Sequence, residues 1–402
     1  MLKEVVHRSH HLWQCFPRHL HCHDWSPVNS KARSRSGRGS VSWRKPLFCM
    51  ASYHRDVVLA TNAVRLASRL CQTVQRGLLT QETQTKSDKS PVTVADYGSQ
   101  ALVNWSLARE FPPGTFSMVA EEGSEDLRTE AGAPMLERIT QLVNDAIASD
   151  AALDVAPLSK EDVLEAIDWG NSEGGSNGRH WVLDPIDGTR GFVRGDQYAI
   201  ALGLLDNGKV VAGVLGCPNL PMGSIANGIP ANSSEPVGCL FVASLGAGTT
   251  VEPLDGSGEP KRVHVSDVED TAIATFCESY ESAHTMQDLT ANIAGTLGVK
   301  APPVRIDSQA KYGAMARGDA VIYLRFPHFG YREKIWDHAA GAIVITEAGG
   351  EVFDAAGEPL DFSRGRWLDL DTGIIATNKE LKPVVLSAVQ KCVKDLKIPA
   401  KH

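Results

Sequence analysis

The first part of the chain carries the hydrophobic spacing of amphipathic helices. From Val57 to Val74, apolar side chains recur at helical spacing, which predicts one long helix that packs through a single face. The polar run 80–90 that follows is typical of a loop. Ser159 and Asp162 form a capping-box pattern, which indicates that a helix begins there. Helical spacing also predicts three further helices, at 96–111, 134–149 and 160–168.

A strand-rich block follows the glycine-rich stretch 170–178. Two of its apolar runs flank Asp206, Asn207 and Gly208, which predicts a tight hairpin because Asn and Gly tolerate positive φ. Successive strands joined by short connections predict an antiparallel meander. The predicted strands lie at 180–185, 198–205, 209–216, 238–246, 249–254 and 261–266.

After about residue 270 the pattern changes to alternating strands and helices. Predicted strands lie at 274–279, 304–308, 320–326 and 372–378, and an alanine-rich helix is predicted at 337–348. A last helix places apolar residues from Val385 to Leu396 on one face. The sequence therefore predicts an antiparallel α+β half, 51–269, followed by an α/β half, 270–402. A chain of 402 residues favours two domains of this kind over one core.

Composition and charge narrow the classes of function. The formal net charge of −8 argues against nonspecific nucleic-acid binding, and no run approaches the roughly 20 apolar residues that span a bilayer. We therefore expect neither nucleic acid nor membrane as a partner. The eight cysteines contain no Cys-x-x-Cys pair, which favours buried, reduced thiols over a zinc site or a disulfide framework. An acidic protein can still bind an anionic substrate if bound cations invert the local field.

The leader, residues 1–50, differs from the rest of the chain. Met1 to Cys49 hold nine Lys or Arg and six His, but only Glu4 and Asp24 as acids. This basic, acid-poor composition is typical of an organelle transit peptide, which predicts a plastid or mitochondrial location. The alternatives are a disordered tail, or an upstream extension with true initiation at Met50. Without a transit peptide we expect a cytoplasmic protein.

The strongest chemical signal is the hexapeptide DPIDGT at 184–189. Pro185 cannot donate to a sheet ladder, so the chain is expected to leave its strand there. Asp184, the carbonyl of Ile186, Asp187 and Thr189 can then converge on one side of a loop. Carboxylate and carbonyl oxygens are the ligands that Mg²⁺ prefers. The alternative is an ordinary Asp/Gly turn.

Three weaker acidic signals accompany this motif. Glu121 and Glu122 follow the short apolar run FSMVA, where an exposed surface pair is the alternative. Asp337 stands where the N-cap of the alanine-rich helix is expected, and Asp96 ends SPVTVAD at the start of a helix. For both aspartates simple helix capping is the alternative.

Taken in this order, the four signals resemble the lithium-sensitive phosphomonoesterase superfamily, whose signature runs D, EE, DP(I/L)DGT and WDxAAG. Within it, the runs SDKSPVTVADYGSQ, SEGGSNGRHWVLDPIDGTRGFVRGDQYAIALG, DSQAKYG and YREKIWDHAAGA are similar to the plant-type 3′(2′),5′-bisphosphate nucleotidases. The resemblance covers essentially 50–402. It implies a layered αβαβα sugar-phosphatase fold with two domains, like the inositol monophosphatases and fructose bisphosphatases.

The resemblance also implies a set of metal ligands. Glu121, Asp184 and the Ile186 carbonyl would hold one Mg²⁺. Asp184, Asp187 and Asp337 would hold a second, and Glu121 would help to hold a weaker third. Physical chemistry agrees, because carboxylates this concentrated repel one another unless cations neutralise them.

The catalytic and substrate residues follow from the same resemblance. It implies that Asp96 and Thr189 orient and deprotonate the attacking water, with no covalent enzyme intermediate. For Lys311 and Arg325, solvated surface charge is the alternative, and for His284 it is an ordinary loop histidine. The residues implied to contact the substrate are Thr189, His284, Ser308, Lys311, Arg325 and Asp337.

The implied reaction is conversion of adenosine 3′,5′-bisphosphate to AMP and phosphate, with 3′-phosphoadenosine 5′-phosphosulfate (PAPS) as a second substrate and inhibition by Li⁺. The nearest alternative is an inositol polyphosphate 1-phosphatase or inositol monophosphatase, which shares the metal cage. An alternative from another class is a catalytically inactive protein that binds a metabolite. The presence of all the acidic residues of the family signature argues against a catalytically inactive protein.

Overall fold

The computed structural model describes residues 53–80, 90–228, 235–280, 286–328, 330–370 and 372–395. These ranges belong to one compact unit. The leader and most of the predicted loop at 80–90 lie outside them. No helix in the described ranges is long and apolar enough to cross a membrane. The five cysteines in these ranges are free, and four of them are buried, as the sequence predicts.

A seven-stranded sheet forms in the first half of the chain. Its strands lie side by side in sequence order: β1 (Met118–Ala120), β2 (Arg179–Asp187), β3 (Ala199–Asp206), β4 (Lys209–Pro221), β5 (Val237–Ser244), β6 (Gly248–Pro253) and β7 (Lys261–Val263). Only β1 and β2 pair in parallel, and the other pairs are antiparallel. The predicted meander is therefore confirmed. Asn207 and Gly208 adopt φ of 50° and 74° between β3 and β4, which confirms the hairpin.

A five-stranded mixed sheet forms in the second half. It contains β8 (Phe276–Glu278), β9 (Val304–Arg305), β10 (Ile322–Arg325), β12 (Glu351–Asp354) and β14 (Ile374–Thr377), in the order β12-β14-β10-β8-β9. Strands β8, β9 and β10 pair in parallel. A separate two-stranded ribbon joins β11 (Glu333–Lys334) to β13 (Trp367–Leu368). The two larger sheets fall on either side of residue 270, while the predicted division into domains 51–269 and 270–402 stays a prediction.

The described helices are α1 (His54–Thr80), α2 (Ser90–Ala108), α3 (Ala133–Ala148), α4 (Lys160–Asp168), α5 (Thr189–Arg194), α6 (Gln287–Leu297), α7 (Ala310–Ala316), α8 (Ala339–Glu347) and α9 (Lys382–Asp395). The capping box of Ser159 and Asp162 is present at the start of α4, as predicted. The sequence predicts that the second helix begins at Asp96, but α2 begins at Ser90. Pro91 does not prevent this earlier start, since proline is tolerated in a first helical turn, where its missing N–H would have no partner.

The elements stack in five layers that alternate helix and sheet. One hydrophobic core joins α1 to α4 to one face of the seven-stranded sheet. A second core places α7 and α8 between the other face of that sheet and the five-stranded sheet. A third packs α6 and α9 on the far face of the five-stranded sheet. Strand β3 shows the arrangement, since Ile200 enters the first core while Ala199 and Ala201 enter the second.

Helix α8 approaches both neighbouring layers closely because small residues form its surface. A Cβ on Gly341 would overlap the buried ring of Tyr312, and a Cβ on Gly213 of β4 would lie 2.8 Å from the Ala340 carbonyl oxygen. The alanine and glycine residues of the helix therefore permit this close packing. It fixes the start of α8, and with it Asp337, against the sheet.

We expect Gly341→Ala to lower the free energy of unfolding by about 1–3 kcal/mol, because the added methyl group overpacks the core against Tyr312. Gly295 in α6 is the matched control, since its added methyl group would meet no atom within 4 Å. Gly295→Ala should be neutral or stabilising by up to about 1 kcal/mol. Urea unfolding of both variants checks this, and equal stability for the two would contradict the packing account.

Candidate active site

A β-bulge in β2 places Asp184 and Asp187 on one face of the seven-stranded sheet. Asp184 lies opposite Ala201 and Asp187 lies opposite Ala199, so three steps along β2 match two steps along β3. The extra residue cancels the alternation that would otherwise turn the two side chains to opposite faces. The expectation that the chain leaves the sheet at Pro185 is therefore wrong. A bulge accommodates a proline that cannot donate to the ladder.

Parallel pairing brings Glu121 beside this bulge. Ala120, the last residue of β1, lies opposite Leu183 of β2, and the residues that follow these two are Glu121 and Asp184. The turn after β1 is held by the buried side chain of Gln100, whose Oε1 accepts from the Glu122 N–H at 3.0 Å and whose Nε2 donates to the Glu122 carbonyl at 2.6 Å. Glu121 and Glu122 are thus part of a turn that hydrogen bonds to Gln100 hold in place.

Asp96 lies inside α2, two turns from its first residue, and is buried. It is not a helix cap, so that alternative is wrong. Ser99, one turn further on, donates from Oγ to the Pro185 carbonyl at 2.9 Å, which ties this face of α2 to the bulge. Burial, reinforced by Glu122 and Glu121, raises the pKa of the Asp96 carboxyl well above its usual range.

Asp337 precedes α8, and His338 rather than Asp337 is the N-cap residue of that helix. The capping alternative is therefore wrong for Asp337 as well. Burial raises the pKa of its carboxyl to about 8, with a further contribution from Asp187, although the Arg325 guanidinium opposes the shift.

The carboxylates around the bulge destabilise one another's charged forms. Burial raises the pKa of Asp184 well above its usual range, and Glu121, Asp187 and Asp337 add to this effect. Glu121 is solvent-exposed on one side, yet the surrounding protein and the neighbouring Glu122 and Asp187 raise its pKa to about 7. The Oδ1 atom of Asp184 is buried and has no hydrogen-bond partner among the described residues. An oxygen-rich, anionic site with an orphaned oxygen fits a hard divalent cation such as Mg²⁺.

Next to this site, Glu333, Asp337 and His338 form a group whose ligand atoms lie within 4.8 Å of one another. Both oxygens of Glu333 already accept hydrogen bonds from Arg325, at 2.7 and 2.9 Å, and one also pairs with His338 Nε2 at 3.0 Å. Burial alone would raise the pKa of Glu333, but Arg325 and His338 outweigh it and lower it to about 2. Glu333 therefore holds Arg325 in place, and Asp337 is the member of the group that lines the cavity.

The predicted residues line one cavity of about 670 Å³, a volume in the range of small-molecule sites. Asp96 does not line this cavity, although it lies close enough to Glu121, which does, for the charge of Glu121 to help raise the pKa of Asp96. His284 lies outside the described residues. The predicted site residues around the cavity are Glu121, Asp184, Ile186, Asp187, Thr189, Ser308, Lys311, Arg325 and Asp337. Their individual roles stay predictions.

Of the two cationic residues predicted to bind substrate, Lys311 is buried and Arg325 is partly buried. Lys311 is only 3% exposed, and its Nζ donates to Ser279 Oγ at 3.0 Å beneath the ring of Tyr323. Burial lowers the pKa of its ammonium, and Asp187 opposes the shift. The side chain of Arg325 is about one-fifth exposed. The alternative of solvated surface charge is therefore wrong for both residues.

Sequence reasoning missed the side chains that hold this site together. Arg366 donates to the carbonyls of Ala120, Gly170 and Ser172 and stacks on the ring of Trp336, so it links the residue before Glu121 to the residue before Asp337. Gln100, Gln309, Glu333 and His338 act similarly. Nothing local in the sequence marks them, because their partners are backbone groups or side chains that only tertiary packing brings within reach.

Comparison with known proteins agrees with this geometry. A sequence model described as the Inositol monophosphatase family matches residues 55–394. The chain is 61% identical over 344 residues to a 3′(2′),5′-bisphosphate nucleotidase of Oryza sativa, which covers 85% of this chain and 96% of that protein. It is 60% identical over 343 residues to 3′(2′),5′-bisphosphate nucleotidase 1 of Arabidopsis thaliana, covering 85% and 97%.

Solved structures support the fold. An inositol monophosphatase from Zymomonas mobilis superposes with a TM-score of 0.53 at 18% identity, covering 85% of this chain and 99% of that one. An inositol monophosphatase from Anabaena (Nostoc) gives a TM-score of 0.51 at 21% identity, covering 84% and 96%. The predicted layered αβαβα fold is confirmed.

We expect Asp184→Asn to raise the free energy of unfolding in EDTA at pH 8, because it removes one of several carboxylates that repel one another. The variant should also lose the stabilisation that Mg²⁺ gives the wild type, about 2.7 kcal/mol at a hundred times the dissociation constant. Chemical unfolding with and without Mg²⁺ measures both quantities.

Asp361 provides the control, because hydrogen bonds from Ser363 and Arg364 lower its pKa to about 2. Asp361→Asn should be no more stable than the wild type in EDTA and should keep the full response to Mg²⁺. If Asp184→Asn responded to Mg²⁺ as the wild type does, Asp184 would not be a metal ligand.

Proposed function

The chain belongs to the inositol monophosphatase family, and from that premise we propose that it hydrolyses the 3′-phosphate of adenosine 3′,5′-bisphosphate to give AMP and phosphate. Two relatives that are 60% and 61% identical over almost their whole length are named 3′(2′),5′-bisphosphate nucleotidases. The observation that carries the proposal is one cavity lined both by the carboxylates of Glu121, Asp184, Asp187 and Asp337 and by the cations of Lys311 and Arg325. We extend the proposal to PAPS, which carries the same 3′-phosphate.

We propose that the carboxylates lining the cavity hold two Mg²⁺ ions and bind a third ion more weakly. Glu121, Asp184 and the Ile186 carbonyl would bind the first, and Asp184, Asp187 and Asp337 the second, with Glu121 also contributing to the third. Bound magnesium supplies the positive charge that polarises the phosphate and lowers the pKa of water. The bulge and the parallel β1–β2 pair support this assignment, because they bring residues 121, 184 and 187 to one place.

The chain's own residues orient the reactants and move the proton. In this proposal the Asp96 carboxylate, ionised once cations offset its neighbours, accepts a proton from the attacking water, and Thr189 Oγ1 holds that water in place. Water attacks phosphorus directly and the bond to the 3′ oxygen breaks. That oxygen takes a proton from solvent water and becomes the 3′-hydroxyl of AMP, and Asp96 returns its proton to solvent. Lys311 and Arg325 neutralise the phosphates, and Glu333 keeps the guanidinium of Arg325 in its orientation.

Two further expectations belong to the same proposal. Li⁺ should inhibit hydrolysis by displacing a loosely held magnesium ion. The rate of phosphate release in millimolar lithium tests this expectation. The basic leader would direct the protein to a plastid or mitochondrion, and the cytoplasm would be its location without such a signal.

The proposal is tested by the rates of phosphate release from adenosine 3′,5′-bisphosphate and inositol 1,4-bisphosphate at identical Mg²⁺ concentrations. We expect a clear preference for the nucleotide, because the relatives at 60% and 61% identity are named for nucleotide substrates. We also expect loss of both activities in EDTA. Comparable rates would indicate a bifunctional enzyme, release from inositol alone would refute the nucleotide assignment, and no release from either would indicate a metabolite-binding protein.

We expect Asp187→Ala to lower kcat/KM by at least about a thousandfold, equivalent to about 4 kcal/mol of transition-state stabilisation. The reason is that Asp187 is one of the carboxylates around which the proposed ions gather. The exposed Asp145 of α3 is the control, and Asp145→Ala should keep full activity. Far-ultraviolet circular dichroism confirms folding, and near-normal turnover by folded Asp187→Ala would end the metal assignment.

A further inference from the structure

Gln309 makes hydrogen bonds to three separate parts of the site. Its backbone N–H donates to Asp187 Oδ2 at 2.5 Å. Its side-chain Nε2 donates to the Trp336 carbonyl oxygen at 2.8 Å, and its Oε1 accepts from the Gly341 N–H at 3.0 Å. The residue is only 2% exposed, and both ends of its amide have partners. A single buried residue therefore joins the strand bulge, through its backbone N–H, to the beginning of α8, through its side-chain amide.

The backbone around Gln309 is held in an uncommon conformation that makes this possible. Ser308 adopts φ of 67°, in the left-handed region that residues other than glycine rarely occupy. Its Oγ accepts from the Ala310 N–H at 3.1 Å, a local bond that supports the turn. The turn aims the next N–H at Asp187. Conformations of this kind persist where the surrounding structure determines them, often at functional sites.

The partners of Gln309 flank residues that come from distant parts of the chain. Asp187 lies in β2, whereas Asp337 directly follows Trp336 and lies between the ribbon and α8. The hydrogen bond from the Gln309 backbone holds the Asp187 carboxylate. The hydrogen bond from its side chain holds the Trp336–Asp337 peptide group, next to the second carboxylate. Outer partners of this kind orient metal-binding carboxylates, and removing one commonly weakens metal affinity by 10- to 100-fold.

We propose that Gln309 is a positioning residue that holds Asp187 and Asp337 in the relative geometry needed to share one Mg²⁺ ion. This inference rests on the proposed function, because it assumes that the two carboxylates bind metal. Gln309 acts through them and does not itself need to touch the ion or the substrate. Its side chain matters through the Trp336 carbonyl and the Gly341 N–H, and its backbone through Asp187.

A purely structural role is the alternative, and the chain offers a control for it. Asn378 is also 2% exposed. Its Nδ2 donates to the carbonyls of Ser266 and Val268, and its Oδ1 accepts from the Leu381 N–H. Asn378 does not line the cavity. Loss of its amide should destabilise the fold without moving any predicted metal ligand.

The test compares Gln309→Met and Asn378→Leu, which remove the amide while keeping most of the side-chain volume. Thermal unfolding of the protein without substrate is followed across a Mg²⁺ titration. We expect both variants to unfold at lower temperature in EDTA. Only Gln309→Met should need at least 10-fold more Mg²⁺ than the wild type for half of the maximal shift in Tm. In activity assays it should show the same increase in the Mg²⁺ concentration for half-maximal rate.

Gln309→Asn guards against a failure of the methionine variant to fold. It keeps a donor and an acceptor but is one methylene shorter, so it cannot reach both partners and should also need more Mg²⁺. Wild-type Mg²⁺ dependence in a folded Gln309 variant, or an equal change in Asn378→Leu, would overturn the inference. The titration uses no nucleotide, so a wild type that binds Mg²⁺ but does not hydrolyse adenosine 3′,5′-bisphosphate would refute the proposed function alone. A wild type that Mg²⁺ does not stabilise would overturn both.

Discussion

Repulsion among clustered carboxylates, of which Asp96 and Asp184 are buried, is the interaction on which the rest of this structure depends. Asp96, Glu121, Asp184 and Asp337 all have raised pKa values, chiefly because burial disfavours their charged forms and because their neighbours carry the same charge. A fold keeps such an arrangement only if something offsets the repulsion, and divalent cations are suited to do so. The buried, unpartnered Oδ1 of Asp184 points to the same conclusion.

The fold brings these side chains together through a few local devices and several long-range ties. The bulge in β2 turns Asp184 and Asp187 to one face, and the parallel pairing of β1 places Glu121 beside them. The small residues of α8 allow the helix to approach the sheet, which brings Asp337 to the same cavity. Arg366 and Gln309 then connect the separate segments by hydrogen bonds that hold these side chains in place.

The sequence predicted what depends on local pattern. Long helices with strong periodicity, the meander, and the hairpin at Asn207-Gly208 were all recoverable, because period and turn chemistry act over a few residues. The motif DPIDGT identified the centre of the site. The strand that continues past Pro185 was missed, because proline usually ends a strand and only the pairing with β3 shows the bulge. The sequence does not predict short elements such as α5 and α7, because each spans fewer than two helical turns and so carries too little periodicity. The ion pair of Arg325 with Glu333 and the contacts of Gln309 depend on tertiary packing, which no local pattern reveals.

The central claim is that carboxylates from both halves of the chain share divalent ions. The most direct measurement is the anomalous diffraction of a crystal soaked in Mn²⁺, which accepts the same oxygen ligands as Mg²⁺. We predict a peak within about 2.0–2.4 Å of oxygens from Asp184 and Asp187, with Asp337 bound to the same ion. A peak held by Glu333 and His338 instead, or Mn²⁺ bound without Asp184, would contradict the account.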